Sequence, residues 1–167
     1  LLAPGHSARD TFEMLDGAGF TLQAKPFSVG FRAEHLQRRI EESLYHDAAG
    51  HPALPRGEYQ LSQHVGGRCV YTFCMCPGGS VVAAASETGR AVTNGMSLHA
   101  RDGENANAAV VVSVNEADFG GDARRAIAFQ RELETKAYAA GGGGYAAPAE
   151  NVRSFLEGAG TLHAGVV

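Results

Sequence analysis

Residues 69–85, CVYTFCMCPGGSVVAAA, decide the class of fold. Two apolar runs, 69–74 and 80–85, flank a Pro-Gly-Gly break at 77–79, and short runs bounded by glycine and proline are typical of strands. A connection this short favours an antiparallel hairpin, because a parallel pair needs a long crossover. The stretch therefore predicts an antiparallel sheet in the middle of the chain.

The sequence around this stretch predicts further strands at 27–31, 59–65 and 108–114, and a short one near 91–93. Residues 1–3 have the pattern of a strand end that enters a turn at Pro4-Gly5. The order of strand and helix, then strands, then helices predicts an α+β fold. We expect an antiparallel or mixed sheet, or a partial barrel, followed by a helical C-terminal part.

Four helices are predicted from apolar residues at helical spacing. The first ends near Gly17 and has Ser7 or Asp10 as its cap. The second covers residues 34–44, with Leu36, Ile40 and Leu44 at helical spacing. The third covers residues 122–140, with Asp122 as its cap. The fourth has Pro148 in its first turn and ends near Gly158.

Length, charge and cysteine count limit the class of protein. The 167 residues suit one domain, or one and a half. The formal charge is −4 and the basic residues are scattered, so we expect no nucleic-acid partner. No apolar run approaches the length of a membrane span, and the start lacks a signal-peptide pattern, so we expect no membrane partner. Three cysteines, an odd number, favour a reducing cytoplasm over a disulfide framework.

Gly5-His6-Ser7 is the first candidate site, because it stands between a predicted strand end and a predicted helix. Ligands of open α/β sheets bind at such places. Gly5 would let a ligand approach the backbone, Ser7 would donate a hydrogen bond and His6 would transfer a proton. The alternative is a tight turn with a helix cap.

Cys74-Met75-Cys76-Pro77-Gly78-Gly79 is the second candidate. In an extended segment the two cysteine side chains of a C-x-C pair point the same way. One interpretation is a redox thiol beside an electron carrier, and another is a zinc site completed by Cys69 and a histidine. The alternatives are buried, unreactive cysteines, or a turn whose backbone amides contact a ligand.

The third candidate is a dense polar stretch between apolar strands, which we expect to be a loop. Arg101 would bind a carboxylate, Asn94 would orient a carbonyl and His99 would transfer a proton. The alternative is a long surface turn. The stretch also contains Gly95, Met96, Ser97, Asn105 and Asn107.

A phosphate-binding fingerprint is absent from the sequence. The glycine run 141–144 follows a predicted helix rather than a strand and lacks the Gly-Lys-Ser/Thr ending of a phosphate loop. Any dinucleotide-gripping segment would therefore lie outside these residues.

Taken together, the three candidate segments resemble a family of bacterial FAD-dependent dehydrogenases of the NAD(P)/FAD-dependent oxidoreductase type. The resemblance also includes residues 24–35, 129–134 and 143–149. It implies an insertion domain of a Rossmann-type flavoprotein, so we expect the chain to begin in mid-enzyme. Residues 1–26 would belong to the FAD-binding domain, 27–158 would form the inserted substrate-side domain, and 159–167 would be a tail.

The resemblance also assigns roles to the candidate residues. The flavin would be contacted by Gly5, His6, Ser7, Pro77, Gly78 and Gly79. The substrate would be contacted by Asn94, Gly95, Met96, Ser97, Asn105 and Asn107. The catalytic candidates are His99, Arg101 and Cys76. The reaction would be hydride transfer at FAD, with NAD(P)H or a small organic molecule as the other partner.

Two rival classes remain open from the residues. One is a binding module without chemistry of its own. The other is a zinc protein built on Cys69, Cys74 and Cys76. In the flavoenzyme interpretation the remainder of the FAD-binding domain is an obligatory partner, and these 167 residues alone would be inactive.

Overall fold

The computed structural model describes residues 1–5, 7–158, 160 and 162–165. The fold is α+β, as predicted, and its three sheets are antiparallel. Within the described ranges these sheets stay open and do not close into a barrel. The elements are α1 (Arg9–Gly17), β1 (Phe27–Leu36), α2 (Gln37–Tyr45), a 3-10 turn (His46–Ala48), β2 (Ser62–Val65), β3 (Arg68–Cys76), β4 (Gly79–Ala83), β5 (Thr93–Ser97), β6 (Asn105–Val114), α3 (Glu116–Phe119), α4 (Ala123–Ala140), β7 (Pro148–Ala149), α5 (Val152–Glu157) and β8 (His163–Ala164).

The main sheet has the strand order β1-β6-β3-β2. Strand β6 is central and its valine run 110–112 suits a strand that is half-buried on both sides. It pairs with β1 along ten residues, from Phe27↔Val114 to Leu36↔Asn105. Its pairing with β3 is interrupted by a bulge between Phe73 and Cys76. This register places Arg32, Ala109 and Phe73 side by side on one face of the sheet.

The opposite face of the sheet carries an aromatic cluster. Phe27 stacks on Phe119 with ring centroids 5.5 Å apart and meets Phe129 edge-on at 6.3 Å. Phe31 lies four residues further along β1 on the same face, and its ring centroid is 5.3 Å from that of Phe155. The C-terminal helices are therefore attached to the sheet through β1.

The hairpin predicted across residues 77–79 does not form. Strand β3 pairs with β2 and β6, whereas β4 pairs with β5 in a separate two-stranded sheet. Pro77 has no N–H, and the N–H of Gly78 donates to Gln37 Oε1 at 3.0 Å. The chain therefore leaves the main sheet at this turn, and β4 and β5 pair with each other.

The β4–β5 hairpin packs on the Arg32 face of the main sheet through Gly95. A Cβ added at Gly95 would lie 2.2 Å from Asn107 Oδ1, 2.3 Å from Arg32 Nη1 and 2.7 Å from Cys76 Sγ. The hairpin backbone therefore approaches these side chains as closely as a glycine permits. Under the hairpin Asn107 is fully buried and Cys76 is nearly so.

A buried cluster of charges attaches α1 to the rest of the molecule. Arg9 is only 3% exposed and donates to Glu87 at 2.9 Å and to Glu134 at 2.8 Å. Arg131 also donates to Glu87, at 2.7 Å, and this guanidinium, with help from Arg9, lowers the pKa of the Glu87 carboxyl to about 2. Arg90 adds a further ion pair to Glu87 at 2.8 Å. We call these five residues the Arg9 cluster.

Several predicted boundaries are corrected by the structure. Residues 1–3 form no strand, and Leu1 and Leu2 are exposed. The first helix begins at Arg9 and its cap position is Ala8, so neither Ser7 nor Asp10 occupies that position. Pro148 belongs to β7, so the last helix begins at Val152, where Asn151 accepts from the Ser154 N–H.

The residues that α2 buries differ from those that the sequence predicted. Strand β1 continues through Leu36, so α2 begins at Gln37. The buried positions are Gln37 and Glu41, whereas Leu36 and Leu44 are exposed. Gln37 is held there by hydrogen bonds to Gly57 O and to the Gly78 N–H.

The third predicted helix is confirmed. Asp122 caps α4 by accepting from the Arg125 N–H at 2.8 Å, and the helix ends at Ala140 before the glycine run. Gly158 ends α5 in a left-handed conformation, as a C-terminal glycine commonly does. No helix in the described ranges combines the length and the apolar character needed to cross a bilayer.

We expect Arg9→Met to lower the free energy of unfolding by about 3 kcal/mol, because it removes the cation from two carboxylates that stay partly buried. The measurement is urea denaturation at pH 7. The control is Arg38→Met, which removes an exposed pair with Glu42 and should cost about 0.5 kcal/mol or less. Equal effects of the two substitutions would contradict a structural role for the Arg9 cluster.

We expect Gly95→Ala to lower the free energy of unfolding by about 1–3 kcal/mol, because the added methyl group overlaps three side-chain atoms. The matched control is Gly17→Ala at the end of α1, where a Cβ meets nothing within 4 Å. This control should be neutral or stabilising by up to about 1 kcal/mol. A neutral Gly95→Ala would show that the hairpin does not pack on the sheet as described.

Candidate functional site

A polar cluster lies between the main sheet and the β4–β5 hairpin. It consists of Arg32 on β1, Cys76 on β3, Gly95 on β5 and Asn107 on β6, and we call it the Arg32 cluster. Arg32 Nη1 donates to Asn107 Oδ1 at 2.6 Å and to the Cys74 carbonyl at 3.2 Å. Three of the predicted site residues, Cys76, Gly95 and Asn107, are thus brought together by the fold.

The Asn107 amide has a fixed orientation and an unused donor. Because Arg32 donates to Oδ1, the amide nitrogen Nδ2 points away from the guanidinium. Nδ2 is buried and has no hydrogen-bond partner among the described residues. An unsatisfied buried donor costs about 1–3 kcal/mol, so this amide nitrogen is a candidate hydrogen-bond donor to a bound molecule.

The two cysteines of the C-x-C pair lie in different environments. Cys74 has a positive φ of 49° at the bulge and is exposed, whereas Cys76 is buried. The bulge between Phe73 and Cys76 breaks the regular alternation of the strand. The two cysteines stay in contact, since Cys76 Sγ donates to the Cys74 carbonyl at 3.6 Å. Burial raises the pKa of the Cys76 thiol, and the nearby Arg32 only partly offsets this rise.

A metal site is not formed by these cysteines. In the described part of the chain no three His, Cys, Asp or Glu side chains are grouped so that they could hold a metal ion. The zinc protein built on Cys69, Cys74 and Cys76 therefore lacks the ligand set it needs.

The turn that follows Cys76 is held by the protein itself. Ser97 Oγ donates to the Pro77 carbonyl at 2.7 Å, and Gly79 pairs with Ser97 in the β4–β5 sheet. Gly78 has a φ of 59°, and a Cβ there would lie 2.0 Å from the Arg101 carbonyl oxygen. The glycines of this turn therefore permit a close approach between the turn and the chain near Arg101.

Half of the polar stretch expected to be a loop, residues 94–107, belongs to strands. The stretch contains most of β5 (Thr93–Ser97) and the first residues of β6, which begins at Asn105. Between the two strands, residues 98–102 are exposed. Asn94 and Met96 are exposed on β5, and His99 is exposed in the turn. Arg101 forms an exposed ion pair with Glu58 at 2.7 Å. Asn105 Nδ2 donates to Glu34 Oε1 at 2.9 Å, beside the Arg32 cluster.

The N-terminal candidates lie ahead of α1, on a different element from the residues of the Arg32 cluster. Gly5 has a φ of 80°, and Gly5 and Ser7 are exposed ahead of α1. His6 lies outside the described residues. No described hydrogen bond or ion pair joins Gly5 to the cluster.

Sequence reasoning missed Arg32 and Glu34 as site residues. Glu34 accepts from the Val81 N–H at 2.8 Å and from Asn105, so it joins β1 to the hairpin. The signal was available in the sequence. The alternating pattern predicted for 27–31 continues with two charged residues on one face of the same strand.

A surface groove of about 460 Å³ runs beside the bulge and is lined by residues 58–60 and 72–75. The hydroxyl of Tyr59 lies 2.7 Å from His35 Nε2, and burial raises the pKa of Tyr59. His35 Nδ1 is buried without a partner in the described residues. The exposed Cys74 lines the same groove.

Comparison with known proteins shows which family these features belong to. The family described as FAD-dependent protein, C-terminal domain-like matches residues 26–166. A protein of Clostridium beijerinckii (strain ATCC 51743 / NCIMB 8052), described as an uncharacterized protein, is 49% identical over 160 residues. The match covers 94% of this chain and 30% of that relative, so the chain spans less than a third of the relative's length. The chain therefore belongs to the FAD-dependent protein, C-terminal domain-like family.

Proposed function

We propose that the chain is the substrate-side part of an FAD-dependent oxidoreductase, a dehydrogenase whose flavin is gripped by other parts of the polypeptide. The observation that carries the proposal is the Arg32 cluster within a chain of this family. The cluster holds a half-buried cation, an unused amide donor and a buried thiol on a sheet face. Such convergent polar groups on a rigid scaffold are suited to orienting a small substrate.

The described residues do not fit FAD as a whole. Residues 1–8, ahead of α1, contain no glycine-rich phosphate fingerprint. The two depressions described, of about 460 and 260 Å³, are open to solvent, and neither is lined by a glycine-rich turn that could hold a pyrophosphate. We therefore assign the binding of the FAD phosphates to the remainder of the protein.

The chain's own contribution is to orient the substrate and exclude water. In this proposal Arg32 contacts the substrate and Asn107 holds the Arg32 guanidinium in place. The other candidates on β5 and β6 supply further contacts to the substrate. Cys76 acts as an uncharged hydrogen-bond donor rather than a nucleophile, because its raised pKa keeps the thiol protonated at neutral pH. His99 and Arg101 remain proposed acid–base and anion-binding groups. NAD(P)H is the proposed second substrate or electron donor.

The proposed partner of the domain is the remainder of the same polypeptide. Phe31, Phe155 and Leu156 are 50%, 55% and 76% exposed, which is unusual for a grouped set of large apolar residues. The relative of 49% identity has about 70% of its length beyond the matched part, which supplies chain to cover such a surface. Residues 1–26 would belong to the flavin-binding part and 27–158 to the substrate side, and the Arg9 cluster would join the two. The proposed location is the reducing cytoplasm.

A binding module without chemistry is the second candidate function. The same exposed apolar residues favour it, since they would equally suit a protein partner. The two functions differ in whether the protein carries flavin.

We expect the protein that contains this sequence, purified at the length its source produces, to show the visible absorption of bound flavin. We expect the 167 residues alone to retain no stoichiometric FAD in equilibrium dialysis, because they lack a phosphate grip. Tight FAD binding by these residues alone would contradict the division of roles. A natural protein without flavin would contradict the oxidoreductase and favour the binding module.

We expect iodoacetamide to modify Cys74 at least about tenfold faster than Cys76 at pH 7, because Cys76 is buried and its thiol stays protonated. Mass spectrometry of the labelled peptides measures each rate. In urea the two rates should become similar, which serves as the control. If Cys76 reacted as fast as Cys74 in the native protein, it would be an activated nucleophile rather than a neutral donor.

A further inference from the structure

Arg32 carries a charge that the described protein does not neutralise. Its two acceptors, Asn107 Oδ1 and the Cys74 carbonyl, are both neutral groups. No carboxylate of the described residues lies within ion-pairing distance of its guanidinium. A half-buried cation without a counter-charge is costly, so a site that keeps one is prepared for an anion from outside.

Glu34, the carboxylate on the same face of β1, is already engaged. It lies two residues along β1 on the same face, where its carboxylate accepts from the Val81 N–H and from Asn105 Nδ2. These bonds attach the hairpin to the sheet. Glu34 therefore stabilises the fold near Arg32 without neutralising it.

The guanidinium is fixed with its remaining donors directed outward. Nη1 is held by Asn107 and Cys74, whereas Nε and Nη2 have no hydrogen bond within the described residues. Neither of these two nitrogens is among the fully buried atoms without a partner, so each keeps some contact with solvent. A fixed guanidinium with two free N–H groups matches a planar, two-oxygen anion.

The surface beside these donors is flat and apolar. Ala109 lies in register with Arg32 on one side and with Phe73 on the other. The Phe73 side chain is 64% exposed, and Gly30, two residues before Arg32, adds no side chain to the face. An apolar group attached to the anion would therefore lie against Ala109 and Phe73.

We propose that Arg32 binds the carboxylate of a ligand whose flat apolar body packs on Ala109 and Phe73. This inference rests on the proposed function, since the ligand would be the substrate of the flavoenzyme. Asn107 is a positioning residue, because it holds the guanidinium in place through Oδ1. The ligand class is thus a small aromatic or unsaturated carboxylic acid.

The test is calorimetric titration of the natural-length protein with benzoate, benzamide and inorganic phosphate. Benzoate should bind at least about tenfold more tightly than benzamide, which has no charge, or phosphate, which has no apolar group. Arg32→Gln should remove the preference for benzoate over benzamide. Asn107→Asp should also remove it, because an internal carboxylate would then occupy the position that accepts from Arg32. Arg153→Gln, at an exposed arginine on α5, is the matched control and should leave benzoate binding unchanged.

The exposed Phe73 side chain gives a second test of the site. If Arg32→Gln fails to fold, Phe73→Ala at an exposed position should weaken benzoate at least about fivefold and leave phosphate unchanged. Equal binding of benzoate and benzamide by a flavin-containing protein would overturn the Arg32 site and leave the proposed function intact. Benzoate binding that depends on Arg32 in a protein without flavin would support the site and overturn the oxidoreductase.

Discussion

The buried guanidinium of Arg9 is the constraint on which the arrangement of the domain depends. Its carboxylate partners, Glu87 and Glu134, are 78 and 125 residues away in sequence. A buried cation must stay paired, so α1, the segment after β4 and α4 hold fixed positions relative to one another. That segment leads directly into β5, which carries Gly95. The same charges that hold the first helix therefore also hold the hairpin over the sheet.

The position of the hairpin in turn creates the site. Gly95 lets the β5 backbone lie against Arg32, Cys76 and Asn107, and this contact buries an amide and a thiol while one edge of the guanidinium stays open. The polar groups are carried by strands and not by a mobile loop, so their geometry is set by the register of β1, β3 and β6. Such a scaffold agrees with the proposed substrate-side role, in which the flavin would supply the chemistry and this chain the orientation.

The sequence predicted the class of fold and the helix after Asp122, because alternation, spacing and caps are local signals. Cys76, Gly95 and Asn107 were selected from local motifs, and the structure places them together. The Pro77–Gly79 turn was misjudged because the partner of its amide, Gln37, lies 41 residues away. Arg32 was missed for the same reason, since its contact with Asn107 spans 75 residues and depends on a strand register that periodicity cannot supply.

The ten-residue strand β1 lies at one end of the main sheet and, within the described ranges, pairs with β6 only. Its other side therefore presents a long row of backbone donors and acceptors. Soluble proteins usually shorten such an edge, cover it or place charges along it, because an open edge recruits strands from other molecules. Charged or polar side chains interrupt only the second half of the β1 edge, at Arg32, Glu34 and His35. If no other part of the polypeptide covers the edge at residues 27–31, the domain would be prone to strand-to-strand aggregation. The pairing would start at the end of the sheet that carries Phe27.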